Sequence, residues 1–214
     1  MKSLQNKLYE CTLHEYTLHE CPLYEGFYKN AGGLARPTTK DELIEEINIR
    51  LRREQYDMND IDTSKITDMS YLFLGFERDM SKLDVSKWDT SNVTNMRSMF
   101  GYCTNFNCDL SKWNVSKVTD MSGMFTNCRV FDSDLSKWDV SKVKSMECMF
   151  YNCFDFNCDL SKWNTSSVTS TRNMFLNCTK FNCNLSKWNV RKVINMDGMF
   201  NNTGMWYLPR WYSD

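Results

Sequence analysis

Cysteine is the residue in this chain best able to do chemistry, and it recurs at fixed intervals. Cys103, Cys128, Cys153 and Cys178 form one column; Cys108, Cys158 and Cys183 form a second, with Ser133 in the gap. Within a unit the pair reads C-x4-C, as at Cys103 and Cys108. Structural zinc sites use tighter C-x2-C knuckles, two at a time, so zinc is not expected. Small buried thiols packed unit on unit are the expectation, because free cysteine is among the most buried residue types. Disulfides between equivalent positions are the alternative, and they need an oxidising compartment.

The two histidines, His14 and His19, are five apart, whereas a zinc-binding H-E-x-x-H helix needs two one turn apart. No histidine lies beyond residue 19, so a Ser-His or Cys-His pair cannot form in the rest of the chain. There is no P-loop and no G-x-G-x-x-G. The acidic residues recur as columns, whereas an active site needs one singular arrangement. The reading is therefore non-enzymatic, with no catalytic residues, no metal and no cofactor.

Two polar ladders carry the functional expectation. Lys87, Lys112, Lys137, Lys162 and Lys187 form one, and Asp89, Asn114, Asp139, Asn164 and Asn189 the other. They flank the apolar positions of a short predicted strand and so should point outward. Side by side they give a flat face of ammonium and carboxylate or amide groups. Such a face suits many weak contacts to a protein or glycan. The plainer alternative is a solvated surface on which Asp and Asn close local turns. A nucleic-acid or phosphate-polymer ligand for the lysines is the second functional reading, and the acidic ladder beside them argues against it.

The elements that position these residues follow from a repeat. Trp88, Trp113, Trp138, Trp163 and Trp188 are spaced by 25 residues. Phenylalanines 100 to 200, methionines 99 to 199 and valines 93 to 193 keep the same interval. A period of this size indicates stacked units, each unable to bury its apolar face alone. Leu110, Trp113 and Val115, at i, i+3 and i+5, match the L-x-x-L-x-L spacing of a leucine-rich repeat, which predicts a strand over 110–115. Met121, Met124, Phe125 and Cys128, at i, i+3, i+4 and i+7, predict a helical turn or two over 121–127. The expected fold is thus a leucine-rich-repeat-like solenoid of about six units over 61–214, each 25-residue coil a short parallel strand plus a short helical turn. The Met and Trp columns should be core; an exposed Trp stripe for sugars is the alternative.

Residues 36–60 should form an N-terminal capping segment. A helix is predicted over 38–56, with Thr39 and Glu42 as a capping box and an apolar stripe of Leu43, Ile47 and Leu51. Residues 1–35 read as a low-complexity arm and linker, with a period-five pattern from Leu8 to Glu25. Net charge is −1, with 26 basic and 27 acidic residues, which suits neither an obligate nucleic-acid binder nor a polybasic membrane anchor. The start has no apolar signal-peptide core, and no stretch is long and apolar enough to span a bilayer. As written, the chain should stay where it is made, as a monomer.

Residues 118–128 and 134–141, the lead-in 36–43 through 61–73, and the closing 208–212 resemble the BspA-like leucine-rich-repeat family of surface proteins. The resemblance covers residues 36–214. It implies a non-enzymatic adhesion role, since members are often secreted or cell-surface proteins implicated in attachment to host matrix or to other cells. The chain departs from those members in lacking a signal peptide, a lipidation cysteine near the start and a C-terminal anchor.

Overall fold

The structure is a computed structural model, and it describes residues 35–76 and 78–212. The chain divides into Met1–Ala35 and Arg36–Asp214. The arm with its period-five pattern, including His14 and His19, lies outside the described residues apart from Ala35.

Helix α1 spans Lys40–Arg52. Its capping box is complete: Glu42 N–H donates to the Thr39 hydroxyl at 3.2 Å, and Thr39 N–H donates back to the Glu42 carboxylate at 3.3 Å. Two orphan amides are thereby satisfied. Leu43, Ile47 and Leu51 are buried. The helix is shorter than the predicted 38–56, because the backbone leaves helical geometry at Glu54, with φ at 56°. Polar contacts tie α1 to the chain beyond it. Lys40 Nζ donates to the Ser70 hydroxyl at 2.6 Å, and Arg50 pairs with Asp60.

Beyond α1 the expected leucine-rich-repeat-like solenoid of strands and helical turns is overturned. Among the described residues there is no strand, and the only helical segments are α1 and a 3-10 turn at Arg210–Tyr212. Isolated parallel bridges run from layer to layer, and a second one, Asp57 with Asp84, stands beside that of Asp68 with Asn95 in the first pair. The others link Asp68, Asn95, Asp120, Ser145, Ser170 and Asn195 in order.

Turns occupy the places given to strand and helix. Trp113 N–H donates to Leu110 O at 3.1 Å, and Val118 N–H to Val115 O at 2.9 Å. Those two turns replace the strand over 110–115. Met124 N–H donates to Met121 O at 3.2 Å, and Cys128 N–H to Phe125 O at 2.9 Å. Those two replace the helix. In both cases the apolar residues stand at the first and last positions of four-residue turns. Two consecutive turns of that kind put apolar residues at i, i+3, i+4 and i+7, the same spacing as a helical stripe.

Backbone dihedrals show why a helix cannot form there. Gly123 and Asn127 have φ of 64° and 61°. Ser98 and Tyr102, Cys148 and Asn152, and Asn173 and Asn177 repeat this left-handed pair in their own layers. A left-handed residue at every fourth position breaks the right-handed helix each time. The amides freed in this way bond the next layer. The N–H groups of Met121, Gly123, Phe125 and Asn127 donate to the carbonyls of Ser145, Glu147, Met149 and Tyr151 at 2.7–3.0 Å.

The interior is a set of aromatic columns. Phe73, Phe100, Phe125, Phe150, Phe175 and Phe200 stack at 5.4–5.9 Å between centroids. A second column, Phe106, Phe131, Phe156 and Phe181, stacks at 5.9–6.0 Å. Within a layer the two columns touch at 4.0–4.1 Å. Each tryptophan from 88 to 188 is only 4 % exposed, so none of these five forms an exposed stripe. Trp211 extends that column, stacking on Trp188 at 6.4 Å.

Candidate functional site

All ten ladder residues are exposed. They sit on turns, not on a strand. The aspartates and asparagines close those turns locally. Ser91 N–H donates to Asp89 Oδ1 at 2.9 Å, Ser116 N–H to Asn114 Oδ1 at 3.1 Å, and Ser141 N–H to Asp139 Oδ1 at 3.0 Å. Asn164 and Asn189 accept from Ser166 and Arg191 in the same way. These are Asx turns, in which the side chain stands in for a backbone acceptor. The Ser141 hydroxyl and amide hold the Asp139 carboxyl below its ordinary range.

A parallel row of Asx turns lies five residues earlier. Asp84, Asp109, Asp134, Asp159 and Asn184 accept from the amides of Ser86, Ser111, Ser136, Ser161 and Ser186. At Asp84 partial burial works against ionisation, but hydrogen bonds from Ser86, Asn59 and Cys108 outweigh it and bring the carboxyl down to about 2. This second row is the charge that the lysines face. Lys112, Lys137 and Lys162 each lie close enough to Asp109, Asp134 and Asp159 to lower those carboxyls. The outer face thus sets Lys112, Lys137 and Lys162 near a row of carboxylates.

The cysteine columns are structural. Cys103, Cys128, Cys153 and Cys178 are fully buried, and each thiol donates to a phenylalanine carbonyl of the preceding layer at 2.9–3.0 Å. Burial raises the Cys103 thiol to about 12 and drives the others up as well. In the second column sulfur is an acceptor: Leu135 N–H donates to Cys158 Sγ at 3.1 Å, and Leu160 N–H to Cys183 Sγ at 3.2 Å. Ser133 fills the gap in kind, its hydroxyl accepting from Leu110 N–H at 2.9 Å. The described cysteines are all free thiols. Among the described residues no group of three or more His, Cys, Asp or Glu side chains could hold a metal ion.

One place breaks the uniformity. A surface depression of about 240 Å³ lies across four layers, from Leu74 to Glu147, with Arg97, Tyr102 and Glu147 at its edge and Gly101 and Gly123 at its floor. Arg97 Nε donates to the Tyr71 hydroxyl at 2.9 Å, and its guanidinium lies 3.6 Å from the Asp120 carboxylate. Glu147 accepts from the Ser170 hydroxyl at 2.7 Å. Cys148, the one cysteine beyond residue 100 outside both columns, lines this depression, and burial raises its thiol. Sequence reasoning passed over these residues because it followed the columns that repeat. The signal that could have found them was the reverse: the position of Arg97 reads Ser122, Glu147, Arg172 and Asp197 in later layers.

The buried columns leave the outside of the layers as the part of the molecule able to meet a ligand. A family model described as "Mycoplasma protein of unknown function, DUF285" matches residues 48–155 and 112–207. Those matches span most of the chain, and it belongs to this family. Neither the curated proteins nor the solved structures compared with it include a match. Among the described residues no helix is long and apolar enough to cross a membrane.

Proposed function

We propose that this chain is a non-enzymatic interaction or adhesion module that binds a protein or glycan partner through its outer face. The contact residues are Lys87, Lys112, Lys137, Lys162 and Lys187 with Asp89, Asn114, Asp139, Asn164 and Asn189. One observation carries the reading: layer after layer exposes the same lysine and Asx pair while the aromatic and thiol columns are consumed inside. Contacts repeated at a fixed interval add up without any single strong one. The resemblance to BspA-like surface proteins supports adhesion as the use.

The test is a fivefold variant with glutamate at all five lysine positions, compared with the parent chain on panels of purified matrix proteins, glycans and duplex DNA. Saturable binding to a protein or glycan, lost in the variant while its melting curve is unchanged, supports the reading. Binding that the variant retains overturns it. So does a preference for DNA that weakens steeply with salt, which would favour the phosphate-polymer reading instead.

A further inference from the structure

The outer face just described is uniform, and a uniform face can hold a partner but cannot easily tell one partner from another. The depression around Gly101 and Gly123 is where the layers differ. Two glycines line it where other layers carry side chains. The position of Gly101 is Thr126, Tyr151, Leu176 and Asn201 in later layers, and that of Gly123 is Cys148 and Asn173 in the next two. The floor is tightly packed. A Cβ on Gly123 would stand 2.9 Å from the Ser98 hydroxyl, and one on Gly101 would stand 2.7 Å from a Leu74 methyl.

We propose that this depression is a saccharide subsite that takes one sugar ring of a glycan. The inference rests on the glycan arm of the proposed function. The chemistry around the hollow is mixed in sign and rich in hydrogen-bonding groups. Arg97 offers donors, Glu147 offers acceptors, the Ser98 hydroxyl offers both, and the Thr126 hydroxyl, which donates to Cys148 O, offers an acceptor. A phosphate would meet the Glu147 carboxylate and an ammonium would meet Arg97, so neither fits both sides. A ring of neutral hydroxyls, each donor and acceptor, does. Arg97 is held in place by Tyr71 and Asp120, and Glu147 by Ser170, so both arrive oriented. Tyr102 is 58 % exposed at the rim and offers an aromatic surface to the apolar side of a ring. At about 240 Å³ the space is below the common range for drug-sized ligands, roughly 300–1,000 Å³, which suits a single ring. A folded protein partner would need about 800 Å² of contact, which a hollow of this size does not supply.

The layers supply their own test variants. Gly101→Thr installs the residue that Thr126 places at the same point one layer on, and Glu147→Ser installs the residue of Ser122. Glu147→Ser only removes atoms, and in Gly101→Thr the Leu74 methyl that would stand 2.7 Å from the new Cβ is the end of a flexible side chain that can turn aside, so the fold should tolerate both. The full chain is titrated with methyl glycosides of glucose, galactose, mannose and N-acetylglucosamine while amide chemical shifts are followed. The expected result is saturable shifts centred on Arg97, Ser98, Tyr102 and Glu147 with at least one glycoside. Binding should be weaker by about tenfold or more in each variant, at unchanged melting temperature. No shifts with any of the glycosides, or binding by both variants as tight as the parent's, overturns the subsite. Loss of a whole glycan partner in the lysine variant, with Gly101→Thr unaffected, overturns the subsite alone and leaves the proposed function standing.

Discussion

The indole N–H of Trp138 donates to the carbonyl of Leu110 in the preceding layer, at 3.0 Å and buried. The same bond recurs from Trp113 to Val85, from Trp163 to Leu135 and from Trp188 to Leu160. Each tryptophan is thus both a filler of its own layer and a fastening to the one before. Trp138→Phe removes the fastening and keeps most of the filler. Leu110 O still accepts from Trp113 N–H, so the expected loss is about 1 kcal/mol. Trp138→Ala removes both and should lose about 3–5 kcal/mol. Urea denaturation of the two variants measures the difference, and a Trp138→Phe chain as unstable as Trp138→Ala would refute this division of roles.

Acid should act unevenly along the stack. Asp62, Asp79 and Asp84 are held below the ordinary carboxylate range; at Asp84 burial opposes this, and at all three the hydroxyls and amides of Ser64, Ser81 and Ser86 prevail. A carboxyl lowered in the folded chain binds fewer protons there than when unfolded. The stability it contributes is complete above the ordinary range and is lost as pH falls through the folded values, down to about 2 at Asp84. The last layer closes the turns equivalent to those of Asp84 and Asp62 with Asn184 and Asn189, whose amides do not titrate. Amide exchange near pH 3 should therefore speed up first around Asp62 to Asp84. Equal protection loss at both ends of the stack would contradict this.

Thiol labelling should divide the cysteines by place. At pH 8 iodoacetamide should leave Cys103, Cys128, Cys153 and Cys178 unmodified in the folded chain, since each is buried, protonated and engaged as a donor. Cys108 and Cys148, only partly buried, should label slowly. Mass spectrometry after digestion reads the pattern. Labelling of Cys128 as fast as that of Cys148 would mean that the layers open far more readily than their packing implies.

Ser133 offers a test of the second thiol column. Ser133→Cys should be close to neutral, because Cys158 and Cys183 accept the same kind of amide bond one and two layers on. Ser133→Ala leaves the Leu110 N–H without its side-chain acceptor and should lose about 1–3 kcal/mol. Thermal melts of the pair decide it, and indistinguishable melts for Ala and Cys would refute the role given to this side chain.

The spacing of Trp, Phe, Met and Cys told inside from outside at nearly every column, because burial follows side-chain type. It did not tell how the backbone gets there. Met121, Met124, Phe125 and Cys128 have the spacing of a helix face, yet they are the ends of two turns, and only the φ of Gly123 and Asn127 separates the cases. Glycine and asparagine at those two positions were the hint, since both tolerate the left-handed region. Leu110, Trp113 and Val115 misled in the same way, their strand-like spacing being that of turn corners. The ladder of Asp89, Asn114 and its equivalents was legible as outward-facing, but its oxygen atoms are committed to Ser91, Ser116 and their equivalents. The depression was illegible for the opposite reason. It lies where the pattern lapses, and periodicity carries least information about its own exceptions.

The direction of the interlayer amides has a further consequence. Within each turn segment four N–H groups point toward the later layer, against one or two backbone bonds of opposite sense, such as those from Thr119 to Thr94 and from Lys180 to Phe154. Peptide dipoles aligned in this way add, as they do in a helix. The assembly is therefore electrically polar along its length despite a net charge of −1. Its early end gathers carbonyl character, and Lys40 sits beside Asp68 and Ser70 there. Its late end presents the amides of Met196, Gly198, Phe200 and Asn202, for which no backbone acceptor stands among the described residues. The two ends of the layered unit are thus unlike in potential, and anions should gather preferentially at the late one.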